Sequence, residues 1–109
     1  MVQLRRGVVE NCVLALLWSR PRYGVDLVRQ LAGAGQLVTS EGTIYPLLAR
    51  LRREGLVETT WSESPSGPPR RYYTLTDLGR TALKRFVTDW RDFRDSVDQL
   101  LGGALEGHR

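Results

Sequence analysis

At 109 residues, 41% of them hydrophobic, the chain suits one globular domain with a modest core, and its formal net charge is +4. The excess lies in residues 1–76, where ten arginines face six acids, whereas residues 77–109 balance six bases with six acids, so the first part favours a polyanionic partner. A single cysteine excludes an internal disulfide, the longest apolar run (Cys12 to Trp18) is too short to span a bilayer, and no leader-like segment precedes it, so a cytoplasmic protein is expected.

Residues 1–7, MVQLRRG, read as a loose basic lead-in whose Arg5 and Arg6 suit phosphate. From about Val8 to Ser19, Val9, Cys12, Val13, Leu16 and Leu17 recur at helical spacing. Leu14 and Trp18 widen that stripe, which predicts a central helix buried on more than one side, with Cys12 in the core. Arg20-Pro21-Arg22 ends it. Tyr23-Gly24 opens a second helix to about Ala32, with Leu27, Val28 and Leu31 inward, and Gly33 and Gly35 close it. Gln36 to Thr39 reads as a brief strand.

The next stretch, SEGTIYPLLARLRREGLV from Ser40 to Val57, carries the most information. Ser40 is a good N-cap, and Ile44, Leu47, Leu48 and Leu51 form one apolar stripe. The opposite face carries Gly42, Pro46, Ala49, Arg50 and Arg53. Small side chains let a backbone approach a surface, and guanidinium forks bind phosphate or guanine edges bidentately. The face therefore reads either as a recognition helix for a major groove or as a solvated surface. Pro46, about six residues past the cap, removes a helical hydrogen bond and pushes Tyr45 from helical geometry, which predicts a tight or kinked first turn. Gly55 ends the helix as a left-handed cap.

Beyond Gly55 the period becomes two. Val57, Thr59 and Trp61 alternate with Glu58, Thr60 and Ser62, as in a half-buried strand. Residues 64–69, SPSGPP, are dense in turn formers, and RRYYTL from Arg70 to Leu75 is a second strand. The hairpin's returning strand starts with Arg70 and Arg71, placed for a phosphate backbone or a minor groove, or simply for solvent. Thr76 caps a last helix from about Asp77 to Gly102, after which the chain, with its one histidine His108, is expected to fray. Along that helix Leu83, Phe86, Trp90, Phe93, Val97, Leu100 and Ala104 make a heptad seam. It is longer than one small domain can cover, which predicts self-association, the alternative being packing entirely against the first helix. Trp90 is oversized for close seam packing: either two copies across a dimer axis leave a flat apolar gap, rimmed by Trp18 or Leu14, or Trp90 fills a tight core and leaves none.

Catalysis finds no support. One cysteine and one histidine cannot form a metal cage or a nucleophile pair, and no phosphate loop or nucleophile elbow is present; no cofactor is implied. Helix, helix, arginine-faced helix, hairpin and long helix together make a mainly α (α+β) fold, a winged helix-turn-helix with a C-terminal dimerisation helix. Residues 1–76 would form the DNA-binding domain and residues 77–109 the dimerisation helix and tail.

In this order the residues resemble the PadR family of bacterial transcriptional regulators. The matching stretches are Tyr23-Gly24, SEGTIYPLLARLRREGLVE from Ser40 to Glu58, and RRYYTLTDLGR from Arg70 to Arg80. The single helix after them is similar to the family's short-tailed subgroup, while the proline-heavy wing tip departs from the usual pattern. The resemblance implies a homodimeric repressor of double-stranded DNA, acting near its own gene or a neighbouring transporter or stress gene. Ser40, Gly42, Thr43, Tyr45, Pro46, Arg50, Arg53, Arg70 and Arg71 are then the expected DNA-binding residues, and Leu83, Phe86, Trp90, Phe93, Val97 and Leu100 the dimerisation residues. Some short-tailed members hold planar aromatic compounds against a tryptophan of the last helix, and Trp90 in TDWRDF stands at that place. Two other readings stay open: a winged-helix protein-interaction module, which would not need the arginines, and a ligand-binding dimer with DNA secondary.

Overall fold

A computed structural model describes residues 2–34, 41–64 and 67–106. The expectations for Gly35, for a strand at 36–39, for the Ser40 cap and for His108 fall outside the described residues. Helix α1 spans Val2–Ser19, strand β1 Arg22–Tyr23 and helix α2 Gly24–Ala32. A 3-10 turn over Glu41–Thr43 leads into helix α3, Ile44–Arg53, followed by strands β2, Val57–Ser64, and β3, Gly67–Leu75, and by helix α4, Asp77–Glu106.

One core holds these elements together. It takes Val13, Leu14 and Leu17 from α1, Leu27, Val28 and Leu31 from α2, and Ile44, Leu47, Leu48 and Leu51 from α3. Val57, Tyr73 and Leu83 close it from the two long strands and α4. Each such side chain contributes roughly 1.5–3 kcal/mol on leaving water, so the apolar stripes of the three short helices fix their mutual packing. Cys12 packs at the edge of this core, and burial pushes its thiol above the ordinary value.

The sheet has the order β1-β3-β2, antiparallel throughout. Strand β1 is an addition to the elements expected from the sequence; Arg22 and Tyr23 pair with Tyr73 and Tyr72. β3 also begins earlier than expected, because Gly67-Pro68-Pro69 extend the strand instead of completing a turn. Prolines are tolerated there because β1 flanks β3 only at Tyr72 and Tyr73, which leaves one side of Pro68 and Pro69 without a ladder. The register slips by one residue between Ser62 and Ser64.

Three other expectations need correction. The lead-in is helical from Val2, so the first helix is longer than its apolar stripe. The last helix does not fray at Gly102; it runs through Gly102 and Gly103 to Glu106. Pro46 removes no hydrogen bond. The α-helical geometry starts only at Ile44, so Pro46 is its third residue, where the amide would have no intrahelical acceptor, and Tyr45 is helical after all. The expected tight first turn is the 3-10 segment.

Where α3 meets α4 the chain is closely knotted. Gly55 has φ of 76°, and its N–H donates to the Arg52 carbonyl (3.1 Å) while that of Leu56 donates to Leu51 (3.0 Å). This pair of bonds is a Schellman cap and requires the left-handed glycine anticipated at 55. The Thr76 hydroxyl donates to the Gly55 carbonyl (2.7 Å) and accepts from the Gly79 N–H (3.0 Å), capping α4 against the end of α3. Gly79 lies directly under this cap: a Cβ there would come within 2.2 Å of the Leu56 carbonyl oxygen and 2.6 Å of Leu75 Cδ1. Gly79→Ala is therefore expected to destabilise by about 1–3 kcal/mol. Gly103→Ala, with nothing within 4 Å of the added methyl, is expected to be neutral or stabilising by up to about 1 kcal/mol. Urea unfolding of the two variants beside the parent checks both, and equal midpoints would contradict the close approach at Gly79.

Candidate nucleic-acid interface

With Ile44, Leu47, Leu48 and Leu51 turned inward, the face of α3 left to solvent is set by helical geometry. Gly42, Thr43, Tyr45, Pro46, Arg52 and Arg53 are exposed, and Ala49 is half-buried. Arg52 is absent from the residues expected to read DNA. It follows Tyr45 by seven residues, about 20° short of two full turns, so the spacing already puts both on one flank.

Arg50 departs from expectation. Its guanidinium is ion-paired with Glu10 of α1 and lies 3.9 Å from Glu54 on its own helix. Its side chain is 21% exposed and that of Glu10 18%, so this arginine belongs to the packing between α1 and α3 rather than to the open face.

The tyrosines set how α3 meets the sheet. Gly24, the first residue of α2, is buried against the ring of Tyr73: a Cβ there would stand 3.2 Å from Tyr73 Cε1 and 4.0 Å from Tyr45 Cε1. The start of α2, the open flank of α3 and the middle of β3 therefore meet at one point. Burial pushes the Tyr73 hydroxyl above its ordinary value, and the nearby Arg71 and Arg52 guanidiniums offset part of that rise. On the opposite face of the sheet, Tyr23 packs its ring 4.9 Å from Tyr72, and its hydroxyl shares a 3.2 Å hydrogen bond with Ser62. β1 thus braces the hairpin against the body.

The two arginines of the hairpin differ. Arg70, opposite Ser62, is exposed. Arg71 lies over the ring of Trp61, 4.5 Å from its centroid, and donates to the Thr59 hydroxyl at 3.0 Å. Trp61, expected on a half-buried face, is instead 65% exposed, because burial falls from Val57 through Thr59 as the strand leaves the core. The cation–π contact gives its ring a partner where the core cannot.

Along α4, Leu83 is buried in the chain's own core, whereas Phe86, Trp90 and Val97 are half-buried, and Phe93 (49%) and Leu100 (86%) are exposed. Phe86 and Trp90 have ring centroids 6.2 Å apart and nearly parallel, with Phe93 6.3 Å further on. Leu14 is sealed in the core and offers no surface. Trp18 lines an open groove of about 450 Å³ between α1 and α4 with Ala15, Leu83, Lys84, Val87 and Thr88, and its ring faces Arg80 and Lys84. The lining of that groove does not reach Trp90. Among the described residues, no cluster of three histidine, cysteine or acidic side chains suits a metal, and no helix is long and apolar enough to cross a membrane.

A three-helix body whose third helix leaves a basic, small-residue face open beside a two-stranded wing is a winged helix-turn-helix, and its long final helix completes the architecture. The model of the Transcriptional regulator PadR-like family matches residues 13–85, and the chain belongs to that family. It is 32% identical to Transcriptional regulator Rv3488 of Mycobacterium tuberculosis over 103 residues, 94% of this chain and 92% of that protein. A PadR-like transcriptional regulator from Bacillus cereus superposes with a TM-score of 0.80 at 39% identity, covering 91% of this chain and 96% of that one. A Streptococcus transcriptional regulator gives 0.81 at 37%, covering 90% and 96%. The protein is a DNA-binding transcriptional regulator and not an enzyme.

Proposed function

We propose that the chain is a cytoplasmic repressor that binds an inverted-repeat operator as a homodimer, residues 1–76 reading DNA and residues 77–109 joining the two copies. What carries this reading is the exposed flank of α3 bearing Tyr45 and Arg53, together with the exposed Arg70 of the wing. Gly42 and Pro46 let the backbone approach a groove, Thr43, Tyr45 and Arg53 face the bases, and Arg70 holds a backbone phosphate or the minor groove. Two such halves related by a two-fold axis fit an inverted repeat. Gel shifts with the duplex upstream of the protein's own gene, against random duplex, are expected to show preference for the former. Arg70→Ala is expected to weaken binding to both duplexes alike and to flatten the salt dependence by about one unit of slope. An unchanged slope would assign Arg70 to solvent.

The dimer is supported by α4 itself. Its 30 residues, about 45 Å long, outrun a body in which, among the described residues, only Leu83 of this helix joins the buried core, and Phe93, Leu100 and Leu101 stand exposed beyond. Charge supports an antiparallel pairing. Residues 77–88 carry Arg80, Lys84 and Arg85 against Asp77, while residues 89–106 carry Asp89, Asp92, Asp95, Asp98 and Glu106 against Arg91 and Arg94. Two copies running in opposite directions set the basic end of each against the acidic end of the other. Light scattering at micromolar concentration is expected to return twice the 12.4 kDa chain mass, and a monomeric value contradicts the assembly.

We further propose that a planar aromatic effector sits between the two copies of Trp90. Phe86, Trp90 and Phe93 form a ladder of rings on the same stripe, and guests of this kind stack on such faces. Planar dyes are expected to quench tryptophan emission in the parent and to lose most of that effect in Trp90→Ala. Quenching that persists undiminished, with Trp18 and Trp61 intact, would move the site elsewhere.

A further inference from the structure

Helix α1 is tied on two flanks by cations from other helices. At its C-terminal end Trp18 receives Arg80 and Lys84 of α4, at 5.2 and 5.7 Å from the ring centroid. Nearer its middle, Glu10 receives Arg50 of α3. Eight residues separate the two ties, about 12 Å along the axis and about 80° around it, so they address different neighbours. Both helices contribute to the one apolar core, α1 with Val13 and Leu14 and α3 with Leu47, Leu48 and Leu51. The buried stripe decides which face of α3 turns inward, and being non-directional it sets small rotations about the helix axis less tightly. A guanidinium held by a carboxylate on another helix is directional, and here both groups are largely withdrawn from water, which strengthens the attraction.

Arg50 also has an alternative. Glu54, one turn on along the same helix, is 3.9 Å from it. If Glu10 loses its charge, Arg50 keeps a carboxylate partner within α3, so the tie to α1 is lost without leaving Arg50 unpaired.

We propose that Arg50 is a positioning residue: through Glu10 it locks the rotation of α3 against α1, and so the aim of Tyr45 and Arg53, and it does not itself contact DNA. This role rests on the DNA reading proposed above. Because α1 is the element that also holds α4 through Trp18, the same ion pair passes any shift of α4 to the reading face.

The test is a double-mutant cycle in the full chain: Glu10→Gln, Arg50→Gln and both together, each titrated by fluorescence anisotropy against the upstream duplex and a random duplex across a salt series. Circular dichroism melts establish that each variant is folded, and Glu10→Gln carries the test if Arg50→Gln is not. The expected result is a loss of preference for the upstream duplex of about tenfold in each single variant, an unchanged salt slope, and a double variant no worse than either single one. A slope that falls by about one in Arg50→Gln but not in Glu10→Gln overturns the proposal and makes Arg50 a phosphate contact. Losses that add in the double variant overturn it, as does preference unaltered in all three. Tighter binding to both duplexes in Glu10→Gln would show that Glu10 merely withholds Arg50 from DNA, and overturns it too. A parent protein that does not distinguish the two duplexes removes the DNA reading itself, and this role with it, a failure seen in a different arm from the others.

Discussion

The end of α3 and the beginning of α4 share one set of atoms, and the rest of the molecule is arranged around that junction. The Thr76 hydroxyl bonds to the Gly55 carbonyl on one side and the Gly79 amide on the other, while the Leu56 carbonyl accepts from the Thr76 N–H at 3.2 Å. The left-handed backbone at Gly55 turns the chain out of α3, and the missing side chain at Gly79 lets the first turn of α4 lie against Leu56. Between these two glycines the whole hairpin leaves and returns, and Val57 and Leu75 pair directly across its base. Wing, α3 and α4 are therefore not three attachments to a core. They leave one point in three directions, and a disturbance there changes all of their angles together.

From that point α4 has two different lives. Its first turns are structural: Leu83 completes the core, and Arg80 and Lys84 lie over Trp18. Past Trp90 most of the helix is exposed, in a molecule 55 Å long and 28 by 23 Å across. An isolated helix gains little from its backbone bonds alone, and burying an amphipathic stripe is what normally stabilises one. Here the stripe continues through Phe93, Val97 and Leu100 with no covering element from its own chain among the described residues. Gly102 and Gly103 are helical despite low propensity, and with nothing near either, their own packing gives no reason for it.

Much of this architecture is legible in the amino-acid sequence. The 3.6-residue period of α3, the change to period two after Gly55 and the seam of α4 each depend on local spacing, and local spacing is what a sequence displays. So does the Gly55 cap, because the left-handed region admits few other residues. Tertiary choice is what spacing does not display. An arginine on the polar side of α3 looks the same whether it meets solvent, DNA or Glu10, forty residues away in the chain. Trp61 fits a half-buried strand by pattern, and only the height of that strand above the core decides that it is exposed. Tyr23 fits a helix opener, yet it also pairs with Tyr72, a contact that exists only once the hairpin has returned. Pro46 differs from expectation for a smaller reason. The α-helical geometry begins only at Ile44, and within one turn that decides whether proline breaks a bond or removes none.

The wing shows how a small surface can combine order with reach. Arg71 is already immobilised by Trp61 and Thr59, so part of the rotamer freedom that a binding arginine ordinarily loses, about 0.5–1.5 kcal/mol for such a side chain, is given up on folding instead. Arg70, next to it on the opposite face of the strand, has no such partner among the described residues and keeps that freedom. A held cation favours one geometry of an approaching anion and contributes selectivity, while a mobile one adapts to many and contributes attraction. The Tyr23–Ser62 bond and the Tyr23–Tyr72 packing make the hairpin stiff enough below the tip for this difference to be felt. Trp61 matters to the wing less as apolar surface than as the plate that holds Arg71 flat. Its exposure, set by the height of the strand above the core, leaves the ring free to carry that charge.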